Sequence, residues 1–287
     1  MRMTVLAAII AAGCAQEAAP VAENAAAPTG SPSLSVAWEL GGLANPESVA
    51  VSSDGSFFYV SNVNGEGEAK DGNGFISRVS PSGELIEREW ARGLDAPKGM
   101  MAGGDAVYVT DIDQLVVLDA TTGVVRRRVA AEGAGFLNDL AFAPDGQVLM
   151  TDSATQRIYG VRSDTAEVWL EHELLAAANG LLPEPERLLV TTMQGRLLSI
   201  DYDSRAVTVL AEGLGDADGI AAIGGDRYLV SAWPGEMFVV NAADGTHERI
   251  LDTRAEGRFL NDFLLVGDTL YQPNWEPSSL TAYSLTR

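Results

Sequence analysis

Positive charge, histidine and cysteine are all scarce in this sequence. Its 287 residues include 19 lysines and arginines against 40 aspartates and glutamates, which gives a formal net charge of −21. Such a chain is repelled by a phosphate backbone and by an anionic membrane surface. We therefore exclude nucleic acid as a partner and keep small molecules and cations.

Two histidines, His172 and His247, and a single cysteine, Cys14, limit the available metal and nucleophile chemistry. Zinc and copper centres are usually built from histidine and cysteine, so this composition argues against them. A lone cysteine also excludes an internal disulfide. Hydrophobic residues still make up 46% of the chain, which is enough for a sizeable core.

The first residues have the pattern of an export signal. Arg2 precedes an apolar run at 5–12 that is too short to cross a bilayer as a mature helix. Cys14 follows small residues, which resembles the bacterial lipoprotein signal, although Ala11 stands where that pattern more often has leucine. The sequence thus predicts a lipoprotein signal peptide at 1–13, with a plain secretory peptide as the alternative. Both predict export to the periplasm or cell envelope, and the first predicts membrane contact only through a lipid on the cysteine.

Residues 14–33 are rich in alanine, proline, glycine and serine and have no hydrophobic period. Such a composition predicts a flexible tether that begins at the lipidated Cys14. The folded domain is expected at 34–287.

Six repeats of about 41 residues fill the expected domain. Each repeat opens with a polar residue in front of a short apolar strand, and a second strand follows after a turn. These polar residues are Glu47, Lys98, Asn138, Asn179, Asp218 and Asn261. A third strand follows in every repeat and a fourth strand in all but the last, so the sequence predicts an all-β, six-bladed β-propeller with four-stranded antiparallel blades. A strand near 35–40 is expected to complete the last blade, and the only helical turn expected lies at 171–177.

The six polar residues are expected to form an inner ring at one mouth of the central channel. In an antiparallel hairpin the start of the first strand and the end of the second lie on the same side. Polar residues at the second-strand ends, Asn62, Asp111 and Asp152 among them, are therefore expected around the ring as a second shell. Two carboxylates and three amide oxygens suit a hard cation. The alternative is a polar plug in which these groups bond to one another and to ordered water.

Lys98 is the only cation in the ring. It could orient an anionic substrate, or it could pair with Glu47 or Asp218 and weaken a metal site. The acidic, glycine-rich segment 64–74 is longer than the equivalent connection in the other repeats. We expect a solvated hairpin loop there, with a lid over the mouth as the alternative.

Four short motifs at blade spacing resemble the gluconolactonase and regucalcin (senescence marker protein) group of six-bladed propellers. The motifs are Pro46-Glu47-Ser48, Asn138-Asp139, Asn179-Gly180 and Asp218-Gly219, and the resemblance covers about 38–287. It implies a divalent cation, usually calcium, held by Glu47, Asn179 and Asp218. It also implies that Asn138 contacts substrate and that Asp218 is the catalytic acid/base. The sequence departs from this group at Phe136, where some members have an arginine that contacts substrate.

Two functions of different kinds follow from these expectations. The first is a calcium-dependent hydrolase of lactones or related small esters, in which the cation polarises the carbonyl and Asp218 takes a proton from water. Because metal ligation lowers the basicity of a carboxylate, this role requires Asp218 to be loosely bound or to act through water. The second is a non-catalytic propeller that binds a small ligand or a protein partner. Lys98 and Phe136 favour the second function, whereas Glu47, Asn179 and Asp218 favour the first.

Overall fold

A computed structural model describes residues 32–287 of the chain. The predicted signal peptide, Cys14 and nearly all of the predicted tether lie outside these residues. Within them the fold is all-β, with two 3₁₀ helices at Glu173–Leu175 and Arg254–Glu256. No helix in this part of the chain is long and apolar enough to cross a membrane.

The sheets are six four-stranded antiparallel blades, as the repeat predicts. The first strand of the chain is β1 (Ser33–Gly41). Blade 1 consists of β2 (Pro46–Val51), β3 (Phe58–Asn62), β4 (Gly74–Val79) and β5 (Leu85–Leu94). Blade 2 consists of β6 (Pro97–Gly103), β7 (Ala106–Asp111), β8 (Gln114–Asp119) and β9 (Val125–Ala130). Blade 3 consists of β10 (Leu137–Phe142), β11 (Val148–Asp152), β12 (Arg157–Arg162) and β13 (Thr165–Glu171).

The second half of the chain repeats this order and closes the ring. Blade 4 consists of β14 (Ala178–Pro183), β15 (Arg187–Thr192), β16 (Arg196–Asp201) and β17 (Val207–Glu212). Blade 5 consists of β18 (Asp216–Gly224), β19 (Arg227–Trp233), β20 (Glu236–Asn241) and β21 (His247–Asp252). Blade 6 consists of β22 (Leu264–Val266), β23 (Thr269–Asn274), β24 (Ser279–Thr286) and β1. Because β1 pairs with β24, the prediction that an N-terminal strand completes the last blade is confirmed. The pairing covers the edge of β24 that would otherwise be exposed.

The hydrophobic core lies between neighbouring blades. One cluster, for example, joins Tyr59 and Ile76 of blade 1 to Val107, Val109 and Val116 of blade 2. Both faces of a blade are covered in this way, which explains the near-continuous apolar runs of the second and third strands. Each buried valine, leucine or isoleucine contributes about 1.5–3 kcal/mol, so the interfaces between blades hold the ring rigid around its channel.

Two local features differ from the sequence prediction. The turn expected at 171–177 is a single turn of 3₁₀ helix, capped by His172, whose Nδ1 accepts the Leu174 N–H at 3.1 Å. The first strand of blade 6 starts three residues after Asn261, not at it. Residues 260–261 nevertheless lie against β23. Leu260 forms a bridge with Asn274, and the Asn261 N–H donates to the Pro273 carbonyl.

Candidate functional site

The inner ring lines one cavity of about 260 Å³ at a mouth of the channel. All six predicted members contribute: Glu47, Lys98, Asn138, Asn179, Asp218 and Asn261. The rest of the lining comes from the residues Gly67, Phe136, Met193, Trp233 and Trp275. Ring residues up to 214 positions apart in the sequence therefore line the same cavity, as the blade geometry predicts.

A β-bulge presents each ring residue of the first five blades. Pro46 pairs with Asn62, but regular pairing resumes only at Val49, so Glu47 and Ser48 lie in a break of the ladder. The same break occurs before Met100, Leu140, Leu181 and Ile220 in the next four blades. A bulge bends the strand and re-aims its side chains. Because of the bulge, the ring residue and the residue after it need not point to opposite faces of the strand.

Hydroxyl groups of the second strands fix these bulges across blade boundaries. Thr151 Oγ1 accepts the Asp139 N–H of its own blade at 3.0 Å and donates to the Asn179 carbonyl of the next blade at 2.7 Å. Ser231 similarly joins Gly219 to the Asn261 carbonyl, with both distances 2.9 Å. Further members are Thr110, which donates to the Asn138 carbonyl, and Thr191, which donates to the Asp218 carbonyl. The sequence signal for this device is a serine or threonine close to the end of the second strand, as in Thr110, Thr151, Thr191 and Ser231.

Thr151→Val tests the hydroxyl device with an almost unchanged side-chain shape. The variant leaves a buried N–H and a buried carbonyl without a partner, so we expect a loss of about 2–3 kcal/mol in the free energy of unfolding. Thr208→Val, on the exposed outer strand β17, is the matched control and should change stability by less than about 0.5 kcal/mol. Chemical denaturation of both variants measures the difference. Equal effects of the two substitutions would refute the role of the hydroxyl.

The three side chains expected to surround the ring do not line the cavity. Asp152 accepts the N–H groups of Gly135 and Phe136, just before Asn138. Asp111 accepts the N–H groups of 95 and 96 in the same way, and Asn62 accepts that of 44. They hold the connections that lead into the first strands, so they position ring residues through the backbone.

Four buried oxygen atoms of the ring have no hydrogen-bond partner among residues 32–287. They are Glu47 Oε2, Asn138 Oδ1, Asn179 Oδ1 and Asp218 Oδ1. The four side chains are only 4% to 7% exposed. An unsatisfied buried acceptor costs about 1–3 kcal/mol, and more when it is charged, so such a group calls for a partner. This set contains all three of the expected cation ligands and adds the oxygen of Asn138.

Asp139 and Asp262 form a second acidic pair beside the ring that the sequence reading missed. Each directly follows a ring asparagine, in blades 3 and 6, which lie opposite each other. Asp139 Oδ2 accepts the Leu181 N–H at 2.7 Å, and Asp262 Oδ2 accepts the Ser48 hydroxyl at 2.7 Å. Both carboxylates thereby tie one blade to the next. The repeated sequence Phe-Leu-Asn-Asp at 136–139 and 259–262 is the signal that could have identified them.

Burial raises the pKa of all four acidic groups, and repulsion from neighbouring carboxylates adds to the shift for three of them. Burial raises the pKa of Glu47 and of Asp218 well above the ordinary range, and repulsion from neighbouring carboxylates adds to both shifts. Burial and then repulsion from Asp262 do the same for Asp139. The pKa of Asp262 itself is raised to about 6, chiefly by burial. The channel mouth therefore resists holding all these negative charges together, and a bound cation would relieve that repulsion.

Lys98 does not fill the ring. Its Nζ donates to the carbonyls of Gly67 at 2.7 Å and Ala96 at 3.2 Å, and lies 4.2 Å from the centroid of the Phe136 ring. Among the described residues Lys98 forms no direct ion pair, so the alternative in which it pairs with Glu47 or Asp218 is not the arrangement seen. The reason is geometric, because the loop after β3 brings Gly67 over Lys98. Gly67 thus forms part of the cavity wall, and the loop is tied to blade 2 by a bond from the Gly72 N–H to Asp95.

The donor set fits a hard divalent cation. Two carboxylates and two amide carbonyls are the oxygen ligands that calcium prefers, and its usual six to eight ligands leave places for water or substrate. Across residues 32–287, no three histidine, cysteine, aspartate or glutamate side chains cluster as a metal site. The set is therefore unlike a zinc site, and it depends on the amides of Asn138 and Asn179.

Two solved structures that are similar to this one are lyases. A catalytically inactive variant of virginiamycin B lyase from Staphylococcus aureus, with quinupristin, aligns with a TM-score of 0.62 and 14% identity over 89% of this chain and 100% of that chain. A streptogramin B lyase structure aligns with a TM-score of 0.63 and 12% identity over 89% of this chain and 98% of that chain. The likeness shows the fold alone. Neither protein-family models nor curated proteins give a significant match to the sequence. The resemblance to the gluconolactonase and regucalcin group thus has independent support only for the propeller fold.

Neither histidine lies at the mouth. His172 caps the 3₁₀ helix after β13, and His247 lies on the outer strand β21 with its ring 5.6 Å from that of Phe238. The lyase variant named above was inactivated by replacing a histidine with alanine. The lining of the cavity described here contains no histidine, and its polar side-chain groups are carboxylates, amides, the Lys98 ammonium and indole N–H groups.

Proposed function

We propose that the protein is a divalent-cation-dependent hydrolase of lactones or related small esters, with calcium as the expected ion. The observation that carries this proposal is the set of four buried, unpartnered oxygens on Glu47, Asn138, Asn179 and Asp218. A polar plug satisfied by side chains alone would have paired these atoms with one another. The resemblance of the motifs around them to the gluconolactonase and regucalcin group is the second support. We further propose export, with a lipid anchor at Cys14.

Glu47, Asn179 and Asp218, together with the Asn138 oxygen, would hold the cation at the floor of the cavity. When bound, a divalent cation supplies Lewis-acid polarisation of an ester carbonyl. Asp218 is the base that we assign to the attacking water, since it is buried at the mouth and its Oδ1 has no protein partner. Because ligation lowers the basicity of a carboxylate, Asp218 would act while loosely bound to the cation or through an intervening water. The amide of Asn138 is held by a bond from its Nδ2 to Ser153 Oγ at 3.2 Å, so its oxygen is fixed toward the mouth. Asn261 donates from its Nδ2 to the Pro46 carbonyl instead, and we assign it to the wall of the cavity.

Hydrolysis assays with and without metal test this function. Purified protein should hydrolyse lactones with calcium, lose the activity with a chelator, and regain it when calcium is returned. Glu47→Gln should need far more calcium for the same rate, whereas Glu66→Gln, in the exposed loop after β3, is the control that should not. Activity that persists unchanged in chelator would refute the proposal. Tight ligand binding without turnover would favour a non-catalytic propeller.

The acidic channel also predicts an unusual pH dependence of stability. The pKa of Asp262 is about 6 in the folded chain, against about 4 for an unfolded aspartate. Between these values the unfolded chain loses the proton first, so the stabilising contribution present at low pH is lost as pH rises through about 6. Melting curves in chelator should therefore show a lower Tm at pH 8 than at pH 5, by several degrees.

Calcium should reverse this trend, because it binds the ionised carboxylates. The rise in Tm on adding calcium should be larger at pH 8 than at pH 5. Asp262→Asn should flatten the slope measured in chelator. A cation-free Tm that increases steadily from pH 5 to pH 8 would contradict the described electrostatics.

A further inference from the structure

The walls above the ring are apolar and come from four different blades. Trp233 of blade 5 and Trp275 of blade 6 lie with their ring centroids 6.4 Å apart at 82°, and Phe259 braces Trp233 at 5.3 Å. Phe136 of blade 3 stands on the side opposite blade 6, and Met193, in the turn between β15 and β16 of blade 4, is 37% exposed. We call Phe136, Met193, Trp233 and Trp275 the apolar wall. A ligand that reaches the ring must pass between these side chains.

Three donor side chains of the cavity, Lys98, Asn138 and Asn261, are bound to groups of the protein itself. Asn138 Nδ2 donates to Ser153, and Asn261 Nδ2 donates to the Pro46 carbonyl at 2.9 Å. Lys98 Nζ donates to Gly67 and Ala96 and faces the ring of Phe136. The unpartnered ring oxygens would be taken by the proposed cation, so a polyhydroxylated ligand would replace few of its bonds to water, which costs free energy for each hydroxyl left without a partner. A ligand with an apolar body would instead gain from covering the apolar wall.

The charge of the mouth selects against anions. Glu47, Asp139, Asp218 and Asp262 surround a floor where Lys98 is the only positive side chain in the lining. A cavity of about 260 Å³ also falls below the usual range for drug-sized ligands, so the bound body is small.

We propose that the mouth accepts neutral lactones or esters with an apolar or aromatic substituent, in preference to sugar lactones. This inference rests on the proposed function for the position of the carbonyl at the ring. The substituent lies against Trp233 and Trp275, where an aromatic group can meet the indole rings edge to face. Phe136 closes the opposite side. Phe136 stands where some members of the gluconolactonase and regucalcin group have an arginine that contacts substrate. We attribute to this difference a change in the class of substrate.

Rates on matched lactones test this preference. The kcat/KM of γ-phenyl-γ-butyrolactone should exceed that of gluconolactone at least about tenfold, with unsubstituted γ-butyrolactone between them. Trp233→Ala and, on the opposite side, Phe136→Ala should each reduce this preference about tenfold, since that corresponds to roughly 1.4 kcal/mol of lost contact. Trp169→Ala is the matched control, because Trp169 packs on Tyr202 and Arg205 away from the mouth. A faster rate on gluconolactone, or equal effects of Trp233→Ala and Trp169→Ala, would overturn the inference while leaving the hydrolase intact.

Binding of a lactam separates failure of this inference from failure of the hydrolase. The lactam that corresponds to the phenyl lactone resists hydrolysis, so its affinity can be measured by calorimetry in calcium whether or not the protein turns over lactones. We expect binding that Trp233→Ala and Phe136→Ala weaken at least about fivefold and Trp169→Ala leaves unchanged. That result without any lactone turnover would support the apolar ligand class and refute the hydrolase. No lactam binding would overturn the inference.

Discussion

Asp218→Asn is expected to lower the rate of lactone hydrolysis by about a hundredfold to ten-thousandfold, the usual contribution of a positioned base. The substitution keeps the shape of the side chain but removes its charge and its ability to accept a proton. Asp218 is 5% exposed, and its Oδ1 has no protein partner. Thr191 holds Asp218 through the backbone carbonyl, so the variant should fold normally. Asp203→Asn, in the exposed turn after β16, is the control and should retain full activity.

A comparison with Glu47→Gln separates the two roles assigned to Asp218. Both side chains are expected to hold the cation, but only Asp218 is expected to move a proton. Excess calcium should therefore restore much of the activity of Glu47→Gln and little of that of Asp218→Asn. Calcium titrations of kcat for the two variants measure this. Full rescue of Asp218→Asn by calcium would contradict its role as base.

Gly180→Ala should be among the most destabilising single-methyl additions in the protein. A Cβ at Gly180 would lie 2.3 Å from the carbonyl oxygen of Asp218 and 2.8 Å from Thr191 Oγ1. Neither neighbour can withdraw easily, since one is backbone and the other belongs to the hydroxyl device. Such overpacking costs about 3 kcal/mol or more, which corresponds to a Tm lower by roughly 10 °C. The shift of β18 should also weaken calcium binding, because β18 carries Asp218.

Gly41→Ala is the matched control for this prediction. A Cβ at Gly41 meets no atom within 4 Å, and its backbone lies outside the left-handed region. Thermal melts of the two variants, with and without calcium, should show a large loss for Gly180→Ala and a change within about 0.5 kcal/mol for Gly41→Ala. Similar melting temperatures would mean that the inner strands are not packed as closely as described.

The fold could be read from the sequence because each blade repeats the same local pattern. The spacing from Glu47 to Asn261 predicted six hairpins, and the alternation at 35–40 predicted the closing strand, now observed as β1 (Ser33–Gly41). Antiparallel pairing alone then placed the ring residues at one mouth. These inferences needed only period and strand direction, which a single sequence carries.

The finer parts of the site depend on contacts between blades. Strict alternation would place Asp139 and Asn138 on opposite faces of their strand, so the pattern gives no reason to expect both beside the channel. The bulge before Leu140 removes that constraint and sets both residues beside the channel. The position of Lys98 depends on Gly67, a residue of another blade's loop. No local pattern indicates such a contact.

Anomalous scattering from crystals tests most directly whether the channel holds a cation. The crystals are grown with calcium and then exchanged into terbium, which replaces calcium at oxygen sites and gives a strong anomalous signal. The account predicts one anomalous peak on the channel axis, about 2.3–2.6 Å from the oxygens of Glu47, Asn138, Asn179 and Asp218. A channel without that peak, in which these oxygens bond to water or to Lys98, would contradict it.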